Sequence, residues 1–94
     1  MIKSIRHKGL KLLWEQGNGS KLPSDLVSRI ERIMEVVDSI QQMPQDMEAF
    51  KNWAPHKLTG ELKDFWSVKV NKNYRVIFRF DGRDAHDLDY LDYH

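Results

Sequence analysis

Residues 65–90 read FWSVKVNKNYRVIFRFDGRDAHDLDY, and their alternation decides the fold. Trp66, Val68 and Val70 alternate with Ser67 and Lys69; Tyr74, Val76, Phe78 and Phe80 alternate with Arg75, Ile77 and Arg79; Leu88 and Tyr90 alternate with Asp87 and Asp89. A period of two over such short runs predicts three strands, and the turn residues between them predict two antiparallel hairpins. Opposed residues on paired strands share a face, and a slip of one residue would throw the apolar set into solvent. The expected register therefore sets Val68 against Val76 and Val76 against Leu88. Three-residue loops have the required parity, namely Asn71-Lys72-Asn73 and Asp81-Gly82-Arg83, each with an Asn or Gly able to take the left-handed conformation. One sheet face is then apolar. The other presents Lys69, Arg75, Ile77, Arg79, Asp87 and Asp89, with Arg75 across from Asp89, Ile77 across from Asp87, and His86 turned inward toward Phe78.

Toward the N-terminus the period changes. In residues 9–17, GLKLLWEQG, Leu10, Leu13 and Trp14 fall at i, i+3 and i+4 before Gly17, which predicts a short helix. After Pro23, Ser24 is the expected N-cap of a second helix, whose Leu26, Ile30, Ile33, Val37 and Ile40 form one apolar stripe up to about Gln42. Met34, Met43 and Met47 fit beside that stripe as core filler. Met1 to Arg6 is short and β-prone, with Ile2 and Ile5 available for burial. Pro44 breaks the helical pattern, and residues 44–64 read as a helical turn followed by a loop through Trp53, Pro55 and Gly60. The expected architecture is one α+β domain over residues 1–94: N-terminal helices packed on one face of a mainly antiparallel sheet, with the other face partly exposed and charged.

Composition narrows the function classes. With 40% apolar and 31% charged residues the chain is globular rather than disordered, and 94 residues suffice for one modest core. No apolar run approaches the ~20 residues that span a bilayer, and the opening MIKSIRHKG lacks the apolar stretch of a signal peptide. A cytoplasmic protein with no membrane partner is expected. The absence of cysteine removes disulfides, thiolate metal sites and cysteine nucleophiles together. His7, His56, His86 and His94 show no helical ligand spacing, so neither a metal nor another cofactor is expected. Net charge is +1, yet residues 51–83 hold eight Lys and Arg against Glu61, Asp64 and Asp81, while Asp84, Asp87, Asp89 and Asp92 follow with no Lys or Arg. Such a basic zone is a solvated face or the footprint of a phosphate backbone.

Residues 88–94, LDYLDYH, sharpen that choice. Final residues tend to fray, whereas this strand-like run carries a carboxylate, a phenol and an imidazole at Asp92, Tyr93 and His94. The plainer reading of the polar face is a set of cross-strand ion pairs, each worth roughly 0.2–1 kcal/mol. Lys69 beside Arg75 counts against it, because facing like charges destabilise unless an anion sits there. Metal-free RNA cleavage needs a base to activate a 2′-hydroxyl, an acid to protonate the departing 5′-oxygen, and cations around the phosphate. His, Asp, Tyr, Arg and Lys supply those groups, provided that a loop, a central strand and the chain end bring them together.

Four segments in order, IKSIRHKGLKLLWEQG, HKLTGELKDFWSV, NYRVIF and DYLDYH, resemble the HigB toxins, a branch of the RelE/ParE superfamily of bacterial toxin–antitoxin systems, and the resemblance runs from Met1 to His94. It implies a small α+β type II toxin that binds the translating ribosome and cuts messenger RNA in the A site without a metal, by 2′-hydroxyl attack that leaves a cyclic phosphate. It also implies a HigA-like helix-turn-helix antitoxin as partner, through which alone operator DNA would be bound. By the same resemblance His56, Asp92, Tyr93 and His94 would be catalytic, and Arg75 would hold the scissile phosphate, assisted by Arg79, Lys57 and Lys69. One departure stands out. The family loop commonly reads H-P-L-K-G, whereas here it is His56-Lys57-Leu58-Thr59-Gly60, so Thr59 occupies the lysine position and Lys57, Lys63 or Lys69 is left to supply the cation. Two other functions remain open: a non-enzymatic gyrase inhibitor like the ParE branch, whose members generally lack such a tail, and a catalytically impaired module that binds RNA or the ribosome.

Overall fold

The computed structural model describes residues 1–92 of the chain. Two helices come first, α1 over Lys8–Gln16 and α2 over Val27–Ser39; strands β1 (His56–Lys57), β2 (Phe65–Lys69), β3 (Tyr74–Asp81) and β4 (Asp84–Asp92) follow, with 3₁₀ turns at Gln45–Met47, Lys51–Trp53 and Gly60–Leu62. The strands form one antiparallel sheet in the order β1-β2-β3-β4. Both helices pack on one face of it, which is the expected α+β arrangement.

Helix α1 starts where His7 supplies an acceptor: its ring Nδ1 accepts the amides of Gly9 at 3.1 Å and Leu10 at 3.2 Å, the part a Ser or Asp side chain plays at most N-caps. Gly17 ends the helix at φ 69°, and its amide and that of Asn18 meet the carbonyls of Leu13 and Leu12. Helix α2 begins later than expected, with Leu26 at the cap and no side-chain capping bond. The Leu26 amide instead bonds the Pro23 carbonyl at 2.9 Å, so a backbone turn replaces the Ser24 cap. The apolar stripe is as read. Leu26, Ile30, Ile33, Met34, Val37 and Ile40 are buried with Leu10, Leu13, Val68, Val76, Phe78 and Leu88. Each such side chain taken out of water contributes about 1.5–3 kcal/mol, and this holds the helices to the sheet.

The β2–β3 hairpin has the expected register, Val68 opposite Val76 and Lys69 opposite Arg75. None of its loop residues needs a positive φ. Asn71 closes the turn by accepting the amides of Asn73 at 2.9 Å and Tyr74 at 2.8 Å on its Oδ1.

The β3–β4 hairpin departs from the expectation. Its loop is the two residues Gly82 and Arg83, with Gly82 at φ 64°, and it pairs Asp81 with Asp84, Phe80 with Ala85 and Arg79 with His86. Beyond an irregularity the pairs become Ile77 with Asp89, Val76 with Tyr90 and Arg75 with Leu91. Val76 therefore does not face Leu88, Arg75 does not face Asp89, Ile77 does not face Asp87, and His86 stands on the outer face beside Arg79 rather than inward against Phe78. Two shifts add: the loop of two residues rather than three moves the pairs by one and by itself turns His86 outward, and Asp87, a left-handed residue at φ 56°, adds one further position to β4 beyond it.

Residues from the other end of the chain match this bulge. Ile2 bridges Ala85 and Ile5 bridges Leu88, both parallel, so the first six residues run along the outer edge of β4. Lys3 and Arg6 donate their amides to the Ala85 and Leu88 carbonyls at 2.8 and 2.7 Å. Between the two bridges the Asp87 amide donates to Ser4 Oγ at 2.8 Å, so the group that the bulge takes out of the ladder is paired. The outer face is also less bare than expected: Ile77, Ser67 and Phe65 are only 4%, 1% and 6% exposed, which leaves charge at the margins of a closed middle. No helix among the described residues is long and apolar enough to cross a membrane.

Candidate active site

Register sorts the candidate residues between the two faces. His56 lies opposite Ser67, Ser67 opposite Ile77 and Ile77 opposite Asp89, forming one row across the outer face. Lys69, Arg75 and Leu91 form the neighbouring row on one side; Phe65, Arg79 and His86 form it on the other. Lys57 pairs instead with Trp66, and Asp92 with Tyr74, and both aromatics pack against the core. Thus His56, Lys69, Arg75 and Arg79 share the outer face, while Lys57 and Asp92 belong to the helix side, Asp92 at an exposed strand end. β1 and β4 are opposite sides of the sheet, separated by three inter-strand spacings or about 14 Å. Tyr93 and His94 lie outside the described residues.

Each group has a definite setting. The His56 ring holds Nδ1 at 2.8 Å from the Ala54 carbonyl. A carbonyl only accepts, so Nδ1 carries a proton and Nε2 is the nitrogen left for proton exchange. Arg75 Nη1 donates to the carbonyls of Asn71 at 2.7 Å and Tyr74 at 3.1 Å, which lays the guanidinium along the β2–β3 turn next to Lys69. Arg79 is engaged elsewhere: its Nε donates to Asp87 Oδ2 at 2.8 Å, and Arg6 Nη2 approaches the same oxygen at 3.6 Å from above the Phe65 ring. The hydrogen bond from Arg79, with the charges of Arg6 and Arg79 and a bond from Ser4, holds the Asp87 carboxyl below the usual carboxylate value, against an opposing effect of burial. Lys57 places its ammonium 5.3 Å from the centre of the Trp66 ring, a cation–π contact on the helix side.

Sequence reasoning passed over two buried hydroxyls that the fold makes notable. Among the described residues Ser67 Oγ, between His56 and Ile77, has no hydrogen-bond partner, and neither has the Tyr90 hydroxyl. The Tyr90 ring stacks on Tyr74 at 5.0 Å and meets the edge of His7 at 5.6 Å. Burial, followed by Tyr74 and the carboxylates of Asp25 and Asp92, pushes this phenol up to about 12. It stays protonated near neutrality, and Asp92 is close enough to act on it. Neither residue carried a sequence signal beyond strand alternation. Among the described residues no group of three or more His, Asp and Glu is placed to hold a metal ion.

Chemically, the outer face offers in His56 an imidazole with an oriented proton acceptor, and in Lys69 and Arg75 a facing pair of cations suited to a phosphate. The sheet end that holds Arg75 also holds Asp92. A family model described as the RelE-like toxin of the type II toxin–antitoxin system HigB matches residues 3–94. Endoribonuclease HigB of Proteus vulgaris is 39% identical over 95 residues, with 100% of each chain covered, and Toxin HigB-1 of Vibrio cholerae is 31% identical over 84 residues, with 87% of each covered. YafQ from E. coli strain BL21(DE3) is similar in fold, with a TM-score of 0.62 at 12% identity over 98% of this chain and 91% of its own. On the match along residues 3–94 and the full-length relative, the chain belongs to the HigB-like toxins, the RelE-like toxins of type II toxin–antitoxin systems, a membership that implies an antitoxin partner.

Proposed function

We propose that this chain is an endoribonuclease that cuts messenger RNA on the ribosome by 2′-hydroxyl attack on the scissile phosphate, without a metal. The observation that carries this reading is the 39% identity, over the whole chain, to a protein named Endoribonuclease HigB. The geometry of His56 supports it: an imidazole tethered through Nδ1 to a backbone carbonyl presents Nε2 in a fixed direction, as a general base or acid requires. In this reading His56 and His94 move the protons on and off the 2′- and 5′-oxygens. Asp92 orients an imidazole, and Tyr93 stacks on a base or shares the proton transfer. Arg75 and Lys69, which face each other across β2 and β3, steady the phosphate. Arg79 and Lys57 are held by Asp87 and Trp66 and reach RNA only after leaving those partners. A helix-turn-helix antitoxin silences the toxin and alone carries it to operator DNA, and the single domain acts in the cytoplasm.

Primer extension on ribosome-bound message tests the proposal. His56→Ala, His94→Ala and a chain ending at Leu91 should each lower cutting by a factor on the order of 100 or more, the usual worth of positioned acid–base catalysis. Undiminished cutting by all three removes the site. Translation that continues in induced cells while DNA damage appears would replace the nuclease with a gyrase poison, and ribosome association with no cutting by the wild type would leave only binding.

A further inference from the structure

At the β2–β3 turn the sheet ends in an open cleft of about 570 Å³, lined by Arg29, Asn52, Trp53, Lys69, Asn71 and Lys72. Helix α2, strand β2 and the turn each send one cation into it. Among the described residues no Asp or Glu lines it, and none of the three cations takes part in an ion pair. Three like charges drawn into one concavity repel one another, so the site is electrostatically incomplete without an anion.

Its walls are built rather than loose. Arg29 Nη1 donates to the Val70 carbonyl at 2.8 Å, which pins the guanidinium at the cleft and leaves further N–H groups for a ligand. Asn71 spends its Oδ1 on the turn, so its amide nitrogen remains as a donor. Trp53 is backed by Phe50, the rings 4.5 Å apart and 14° from parallel, which braces the indole as part of the wall. Cations that follow a backbone beside an aromatic that takes a base are the elements of single-strand RNA binding. Position agrees with chemistry: Lys69 belongs both to this cleft and to the Lys69–Arg75 pair, and Asp92 pairs with Tyr74 at the same sheet end.

We infer that this cleft is a subsite for the nucleotide flanking the scissile linkage, its phosphate between Arg29, Lys69 and Lys72 and its base against Trp53. The inference rests on the RNA-cutting reading and adds to it a grip on RNA outside the reacting atoms. An acidic antitoxin segment would satisfy the charges but has no need of the indole wall, so RNA is the better fit.

Anisotropy of a labelled single-stranded RNA oligonucleotide, titrated with the intact chain over a series of salt concentrations, tests it. Lys72→Gln, in an exposed turn, should weaken binding about fivefold and flatten the slope of log affinity against log salt by about 0.7, while Lys72→Arg keeps both. Trp53→Leu should weaken binding at least about fivefold and leave the slope unchanged. Unaltered affinity and slope in Lys72→Gln would overturn the inference, as would failure of the wild type to bind the oligonucleotide at low salt. Unchanged RNA binding with a weakened grip on the antitoxin would assign the cleft to the partner protein instead. The two readings separate cleanly. If the wild type cuts no message but Lys72→Gln still loses RNA affinity, the nuclease reading falls and the cleft remains a site for RNA with no scissile linkage beside it; if His56→Ala abolishes cutting while Lys72→Gln changes nothing, only the subsite falls.

Discussion

The two hairpins share β3 and are closed by different means. β2–β3 is local: Asn71 caps its own turn with two bonds to residues at most three positions away, and the ladder runs without interruption from Phe65 opposite Arg79 to Lys69 opposite Arg75. β3–β4 depends on distant chain. Its bulge at Asp87 is held by Ser4 and Arg6 from the opposite end of the sequence and by Arg79 from the neighbouring strand. Parity reasoning works for a hairpin whose determinants all lie inside it. In β3–β4 it misses by two, one from the two-residue loop and one from the insertion that tertiary partners stabilise.

Substitutions at Asp87 press hardest on that contrast. Asp87→Val puts a β-branched residue at φ 56° and removes the Arg79 bond, and should cost about 3 kcal/mol by urea denaturation. Asp87→Asn keeps left-handed tolerance and loses only the charge, at about 1–2 kcal/mol. The pH dependence has a definite sign. A carboxyl held below its ordinary 3.8 stabilises the fold above that value, and the stability is lost as pH falls through the lower folded value. Asp87→Asn should therefore flatten the acid limb; a valine protein as stable as wild type would mean the bulge is not what sets the register.

The local hairpin should respond less. Asn71→Ala removes two turn bonds for about 1 kcal/mol, and the Arg75 guanidinium keeps its bond to the backbone carbonyl of residue 71. A loss as large as that of Asp87→Val, read from the same urea curves, would erase the distinction between the hairpins.

The smallest effect is expected at Tyr90, on β4 past the bulge. Among the described residues its buried hydroxyl meets no partner, so Tyr90→Phe should change stability by no more than about 0.5 kcal/mol, in the stabilising direction. A phenol raised from 10.0 to about 12 contributes stability that is whole below pH 10 and lost as pH rises toward 12. Alkaline melts of wild type and Tyr90→Phe should therefore diverge between those values; identical curves would place the hydroxyl in contact with water.

The readable parts were those with enough repeats to establish a period. The α2 stripe and the β2–β3 register each rest on four or more spaced apolar residues. β1, two residues long, carries no period, and its pairing alone separates His56 from Lys57 by face. The bulge did leave a trace. Ile2 and Ile5 are three apart, as are Ala85 and Leu88, and two segments with the same odd spacing are what a matched kink between parallel neighbours produces. The proposal of His56, Asp92, Tyr93 and His94 as reacting groups came from resemblance and not from pattern, because a loop residue and a strand end have no spacing that links them. In the proposed mechanism, Thr59 and the helix-side placement of Lys57 together assign the cationic duty to Lys69 and Arg75.

Residues 1–6 cover the outer edge of β4 from Ala85 to Leu88 with backbone bonds, so the edge amides and carbonyls of Ala85 and Leu88 are already taken. A binding partner that lengthened the sheet there would first have to peel away this segment, with Ile2 and Ile5 leaving the core. The opposite border is the two-residue β1, too brief to template a strand of ordinary length. Strand addition is thus disfavoured along Ala85–Leu88 on one border and along β1 on the other.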